Sequence, residues 1–262
     1  MPNESTEKDW YKFLTEGEPI SRHFHHLKGL LPSNPRCKLC NSPFKGWGGL
    51  LMHMMGRDQS PYNPRYCQQC DRFEHPGGAV IELTMLFADV RGSTTLAEQL
   101  GAHEFSQLMN RFYVTASDAL VRTDGFVDRL IGDEAIGLYV PAIAGTQHPR
   151  RAIEAAQNLL RLTGHGSAKG AWLPIGIGVH TGSAWVGVVG GVDGNPTDFT
   201  ALGDNVNVTA RLASAASAGE ILISEAAYSA SGLDLGELEQ RQLELKGKSE
   251  STGVRVLRVS AE

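Results

Sequence analysis

From Ala79 onward, short apolar runs alternate with segments of helical period, and this alternation narrows the possible folds more than any other property of the chain. "AVIELTMLFADV" is an almost unbroken apolar run of strand length, as expected where both faces of a strand are buried. Phe105, Leu108, Met109, Phe112, Ala116, Ala119 and Leu120 recur at helical spacing, which predicts an amphipathic helix over 103–121. "GFVDRLIGDEAIGLYV" reads as two strands around a tight turn. "HPRRAIEAAQNLLRL" opens with a proline and repeats Ile153, Ala156, Leu159 and Leu160 on one helical stripe. "WLPIGIGVHTGSAWVGVVG" predicts another strand pair around His-Thr-Gly-Ser, and "DNVNVTARLASAA" a helix capped by Asp204 or Asn205. With "GEILIS" and "GVRVLRVS" as later strands, the order is β-α-β-β-α-β with additions. That order predicts an α+β, ferredoxin-like sandwich with its helices on one face of a largely antiparallel sheet.

The segment before Ala79 has a different character. All four cysteines fall between residues 37 and 70, as Cys37-x2-Cys40 and Cys67-x2-Cys70. Each pair sets two thiolates on one side of a tight turn, and two pairs close a tetrahedron. A single structural Zn²⁺ per chain is the expected occupant rather than iron or a redox dithiol, since Asn41 and Asp71 stand where a rubredoxin-like site prefers glycine. "EHPGGA" reads as a linker, which divides the chain into a helical segment 1–31, a four-cysteine metal-binding module 32–76 and a larger domain 77–262. The His23, His25 and His26 cluster is expected on a solvated helix face. The spacer "KGWGGLLMHMMGRDQSP" supplies either a small core under the metal loops or a surface for a regulatory partner.

The net charge of -5 argues against a nucleic-acid partner, which usually meets a basic protein. No apolar run approaches the roughly 20 residues of a membrane helix, and "MPNESTEKDWYKF" is too polar and acidic for a signal peptide. The expectation is a cytoplasmic protein with reduced thiols and no membrane partner.

Chemistry concentrates at strand ends. "TMLFAD" delivers Asp89 at its tip, and Gly92, Ser93 and Thr94 follow at the start of a helix. Backbone N–H groups in such a turn suit phosphates, and the carboxylate suits a divalent cation. Asp133, in the turn of the strand pair, supplies a second carboxylate if the two strand ends are neighbours. Asn207 and Arg211, four apart, share one helix face and can converge on one ligand.

Together "LFADVRGSTTLAEQLG", "GFVDRLIGDEAIGLYVP", "IGIGVHTG", "TALGDNVNVTARLASAA" and "LKGKSE" resemble, in order and spacing, the class III adenylate/guanylate cyclase catalytic domain over about residues 80–260. The resemblance implies that Asp89 and Asp133 hold a pair of Mg²⁺ or Mn²⁺ ions, with the Val90 backbone beside the first. It implies that Gly92, Ser93 and Thr94 bind phosphate, and that Asn207 and Arg211 position the ribose and stabilise the transition state. Lys246, with Lys248, would meet the terminal phosphates, and Arg129 and Thr200 would read the base. The implied reaction converts ATP to 3′,5′-cyclic AMP and pyrophosphate in a head-to-tail homodimer whose sites are shared between protomers.

Two departures stand out. Arg129 replaces the lysine common in adenylate cyclases, and its planar fork can also serve guanine, which keeps GTP open as substrate. Gly176 stands where some relatives place a phosphate-binding arginine, leaving Lys246, Lys248 and Arg91 to balance charge; slow turnover or a Mn²⁺ preference is expected from that gap. A weakly active domain that senses nucleotide or binds a partner is the remaining alternative. "RLIGDEAIGLYVP" also resembles the hairpin of diguanylate cyclases, but Ile131 and Ala135 replace that family's glycine and phenylalanine. Glu134 is read as a hairpin residue.

Overall fold

The computed structural model describes residues 4–16, 19–31, 35–61, 63–71, 77–190, 198–244 and 251–260. Helices α1 (Glu4–Thr15), α2 (Pro19–Leu30), α3 (Gly46–Met54) and α4 (Gln68–Asp71) come first. Next come β1 (Gly77–Val90), α5 (Ser93–Arg122), β2 (Phe126–Ile131), β3 (Glu134–Tyr139), α6 (Pro141–Ala144), α7 (His148–Leu162) and β4 (Ile175–Val189). The chain closes with β5 (Asp198–Leu202), α8 (Asp204–Ala215), β6 (Glu220–Ser224), α9 (Glu225–Ser231), β7 (Glu239–Leu243) and β8 (Thr252–Arg258). The sheet runs β2-β3-β1-β4-β6-β8-β7, with β5 paired to β4 beside that path. Its β2-β3-β1-β4 half, with α5 and α7 as the crossovers, is the ferredoxin-like core expected from the pattern. Only the β4–β6 pairing is parallel among the described strands.

β1 is apolar along most of its length because its two faces enter different cores. Leu86, Ala88 and Val90 pack with Phe112 and Leu120 of α5 and with Leu159 of α7. Ile81, Leu83, Met85 and Phe87 pack on the other side with Leu14 of α1, Cys37, Tyr66, Cys67 and Phe199. The cysteine segment therefore shares a core with the sheet it precedes. Fully burying one side chain such as Leu14 contributes about 1.5–3 kcal/mol to that contact.

The structure corrects several expectations. The stretch around His-Thr-Gly-Ser is not a turn: β4 is one strand, with Met85 opposite His180 and Thr84 opposite Thr181. Gly182 is absent from the positive-φ glycines; it is small because a Cβ there would lie 2.7 Å from Asn205 Cγ. The 103–121 helix begins earlier, at Ser93, with a break at Gly101 (φ 73°). The histidine cluster is only partly solvated. His25 is buried against Phe126, ring centroids 5.8 Å apart, and burial lowers its pKa to about 4. His26 Nδ1 lies 3.2 Å from Asp124 Oδ1, tying α2 to the end of α5. The helix at 204 has Gly203 as its N-cap in place of Asp204 or Asn205. The 74–79 linker lies partly outside the described residues.

Candidate active site

Asp89 sits near the end of β1, opposite Glu134 of β3 on one side and Gly176 of β4 on the other. Gly132 opens the β2–β3 turn with φ 61°, a conformation glycine adopts without penalty. That turn carries Asp133, whose backbone carbonyl accepts the Val90 N–H at 3.1 Å. Ser93 Oγ donates to Asp133 Oδ2 at 2.6 Å. These two bonds fasten the Asp133 turn to the Asp89 strand end, so the two carboxylate-bearing segments meet.

Gly92 has φ 68° and directly precedes the first residue of α5. A Cβ there would meet nothing within 4 Å, so its conformation and not its size is what the turn needs. The first N–H groups of α5, from Ser93 and Thr94 onward, point out of the helix start beside the carboxylates, where the helix dipole favours anions. Burial raises the Asp89 pKa, Arg91 opposes that shift and Asp133 adds to it. Burial also raises Glu134, with Asp89 and then Asp133 adding to the shift. A third carboxylate thus stands at this tip, sharing the Asp89 face through strand register. Neighbouring carboxylates suit a divalent cation, whose charge relieves their repulsion. Among the described residues, though, only the four cysteines gather three or more such ligand atoms within 4.8 Å of one another.

Arg91 is committed elsewhere than to solvent. Its Nη2 lies 2.5 Å from Asp89 Oδ2, and its guanidinium donates to the carbonyls of Ser214 (2.9 Å) and Ala213 (3.0 Å). Those carbonyls end α8, so one arginine joins the carboxylate tip to the helix that carries Asn207 and Arg211. Asn207 is exposed. Arg211 is half-buried, and its Nη1 is enclosed without a hydrogen-bond partner. That nitrogen keeps an unused donor. Gly176 admits no side chain: a Cβ would sit 2.6 Å from the Ala216 carbonyl oxygen. Lys246 and Lys248 lie outside the described residues.

The expected base-side pair is arranged differently from the sequence reading. Thr200 donates from Oγ1 to Asp128 Oδ2 at 3.2 Å, and is only 2% exposed. Arg129 is 48% exposed, with Nε 3.7 Å from Asp128 Oδ2, an ion pair too long for a hydrogen bond. The cause is a β-bulge. Val127 pairs with Gly137 and Arg129 with Ile136, leaving Asp128 as the extra residue in β2. Strict alternation would send Asp128 and Arg129 to opposite faces; the bulge lets both line one cleft. Nothing in the local residue pattern announces that bulge, so Asp128 gives no sign of a role in the sequence. The cleft, of about 770 Å³, lies between the cysteine segment, α5 and β2, and also takes in Arg36, Lys38, Arg65 and Asp198.

The four sulfurs of Cys37, Cys40, Cys67 and Cys70 lie within 4.8 Å of one another. Cys40 Sγ and Cys67 Sγ are 3.7 Å apart, close to the edge of about 3.8 Å that a tetrahedron of Zn–S bonds has. The donor set fits a four-sulfur metal ion. Contact with Cys37 lowers the Cys40 thiol's pKa, which favours the thiolate that a metal ion takes. Asn41 adopts φ 54°, the left-handed conformation a glycine would take, so its identity does not separate zinc from iron.

Comparisons with known proteins identify the family of this fold. Residues 79–257 match the model of the Adenylate and Guanylate cyclase catalytic domain. Adenylate cyclase 1 of Rhizobium meliloti is 32% identical over 146 residues, 53% of this chain and 22% of that protein. The terminal-differentiation specific adenylate cyclase of Dictyostelium discoideum is 27% identical over 187 residues, 68% of this chain and 9% of that protein. The chain thus spans less than a quarter of either relative. Among solved structures, the adenylyl cyclase CyaB from P. aeruginosa superposes with TM-score 0.61 at 29% identity, covering 70% of this chain and 97% of that one. The guanylyl cyclase Cya2 gives TM-score 0.61 at 26% identity, with 71% and 95% covered. No described helix is long and apolar enough to cross a membrane. With the fold, the paired aspartate turns and a family model that spans most of the chain in accord, the protein belongs to the class III adenylate/guanylate cyclase family.

Proposed function

We propose that the chain is an adenylate cyclase that forms 3′,5′-cyclic AMP and pyrophosphate from ATP. The observation that supports the cyclisation chemistry is the fastening of Asp133 to the Asp89 strand end, beside the open N-terminus of α5. Thr200, which is not an acid, is the residue that favours ATP. Asp89 and Asp133 would hold the Mg²⁺ or Mn²⁺ pair, whose charge lowers the pKa of the ribose 3′-hydroxyl and neutralises the leaving pyrophosphate. Gly92, Ser93 and Thr94 bind the phosphates through backbone N–H groups. Asn207 orients the ribose and Arg211 stabilises charge on the α-phosphate as the O3′–Pα bond forms and the bond to pyrophosphate breaks. Rate comes from positioning and charge neutralisation, without a covalent enzyme intermediate. Lys246 and Lys248 complete the triphosphate site.

In this reading the active site is shared: metals and phosphate turn from one protomer, base, ribose and transition-state residues from its partner. The three-part division at 31 and 76, a structural Zn²⁺ on the four cysteines and a cytoplasmic location belong to the same proposal. The close four-sulfur set supports the zinc.

GTP is the second reading, and Asp128 favours it. A carboxylate beside an arginine can accept from guanine N1–H and N2–H while the arginine donates to O6 and N7. Purified protein incubated with ATP or GTP and Mg²⁺ or Mn²⁺, with the product identified by mass, separates the two. Cyclic AMP as main product supports the first reading; cyclic GMP alone overturns it in favour of the second; no cyclic product overturns both.

A further inference from the structure

Lys38 follows the first knuckle cysteine and reaches across to the catalytic sheet. Its ammonium lies 2.6 Å from Asp198 Oδ1 and 3.2 Å from Asp128 Oδ1, with the lysine side chain 7% exposed. Asp128 is the residue that accepts from the Thr200 hydroxyl. Two further residues, just before the second knuckle, grip the same strand. Arg65 Nη1 lies 3.1 Å from Asp198 Oδ2, and Tyr66 Oη accepts the Phe199 N–H at 2.8 Å. The cysteine cluster holds these groups in one arrangement. The Lys38 N–H donates to the Arg65 carbonyl at 2.8 Å, and the Cys67 N–H donates to Cys37 Sγ at 3.3 Å. Lys38, Arg65 and Tyr66 are therefore presented together only while the two knuckles stay together.

This contact has a consequence for access. Thr200, joined to this contact through Asp128, is almost without exposure, so no nucleobase reaches its hydroxyl in this arrangement. The hydroxyl is moreover already committed to Asp128, which Lys38 neutralises. Leu14, Cys37 and Cys67 fill the face of β1 that neighbours Phe199, so a second protomer approaching this face meets the chain's own N-terminal elements.

We propose that the four-cysteine segment is a metal-dependent latch over the base-recognition surface of its own catalytic domain, with Lys38 as its bolt. Closed, it buries Thr200 and Asp128; open, it exposes Asp128, Arg129 and Thr200 together to the purine of a nucleotide held by a second copy of the chain. The inference rests on reading Thr200 and Arg129 as base-side residues. The buried charges fit a contact that can be undone, because a lysine between two carboxylates gains little from burial that water would not return on release. A purely aliphatic seal would lack that balance.

The test uses the full-length protein. Lys38→Glu places a third acid beside Asp128 and Asp198, and Asp198→Asn weakens the same contact more gently. Latching predicts that Lys38→Glu raises the rate of cyclic nucleotide formation by roughly tenfold or more, and Asp198→Asn by less. Stripping the cysteine-bound metal with a zinc-selective chelator in excess Mg²⁺ should do the same to the unmodified protein. Amide hydrogen exchange across 198–202 should quicken in each case while α5 and α7 keep their protection, which shows that the domain is still folded. Where the unmodified protein turns over a purine nucleotide, exchange that quickens with no gain in rate overturns the latch; undiminished protection of 198–202 in Lys38→Glu overturns it in any case. If no form of the protein turns over any purine nucleotide, the proposed function has failed. In that event exchange still decides the latch: quickening at 198–202 with metal removal supports a metal-held cover, and unchanged protection overturns it.

Discussion

The two faces of β1 are buried by opposite means, and the contrast bears on how the molecule works. Toward α5 and α7, the core is aliphatic and aromatic, built from Leu86, Ala88, Phe112, Leu120 and Leu159. Toward the N-terminal elements, a comparable apolar layer is bordered by charge: Lys38 and Asp128 are buried and Asp198 is half-buried beside them. Apolar burial gains most when it is never undone. Paired charges lose little when water replaces the partner, so the second face is suited to opening. The face that must hold and the face that can release thus differ in composition as well as in which elements cover them.

The largest expected effect lies at the carboxylate tip, which both faces support. Asp89→Ala should cut cyclase activity by about a thousandfold or more with little change in Tm. Mixing Asp89→Ala and Arg211→Ala chains should restore one working site per dimer; no recovery from folded, dimeric mixtures would break the shared-site reading. Next come the cores themselves. Leu159→Ala should cost about 2–5 kcal/mol of global stability in denaturant unfolding. Leu14→Ala, about equally buried, should instead loosen α1 locally and leave the protection of α5 and α7 nearly intact. Equal global losses from the two would erase the distinction drawn between the faces.

Smaller effects sharpen the same contrast. Because burial and neighbouring acids raise Asp89 and Glu134, their ionised forms disfavour the fold, and the cost grows as pH rises through the ordinary carboxylate range toward their raised pKa values. Adding Mn²⁺ at neutral pH should therefore raise Tm, and Asp89→Asn should remove most of that rise. Glu220 behaves oppositely. Its contact with Arg241, and less so with Arg258, lowers its pKa to about 2. Its stabilising contribution is complete above the ordinary glutamate range and fades as pH falls from about 4.5 toward 2. Glu220→Gln should flatten that part of an acid-unfolding profile, far from both the latch and the tip.

Much of this architecture could be read in the residues. The apolar run ending near Asp89, the glycine turn at Gly132 and the helical stripe of α7 are local patterns, and each element formed where its period put it. The paired knuckles also announced the sulfur cluster, because two short turns constrain four sulfurs. What escaped were features set by distant partners. β4 runs straight through His-Thr-Gly-Ser because β1 offers it a full-length neighbour, which no window on β4 contains. His25 is buried because Phe126 lies across from it. Asp128 stands beside Thr200 because of a one-residue bulge between Val127 and Arg129, and a bulge is a property of pairing between strands.

The strand–helix alternation thus dictated the order of elements, and the short motifs dictated the chemistry at their ends, since both depend on neighbours in sequence. The meeting of Asp133 with the Asp89 strand end, the turning of Arg91 onto α8 and the pairing of Lys38 with Asp198 come from packing. They join residues 40 to 160 positions apart, where no local propensity acts and only the closing of the sheet brings the partners within reach.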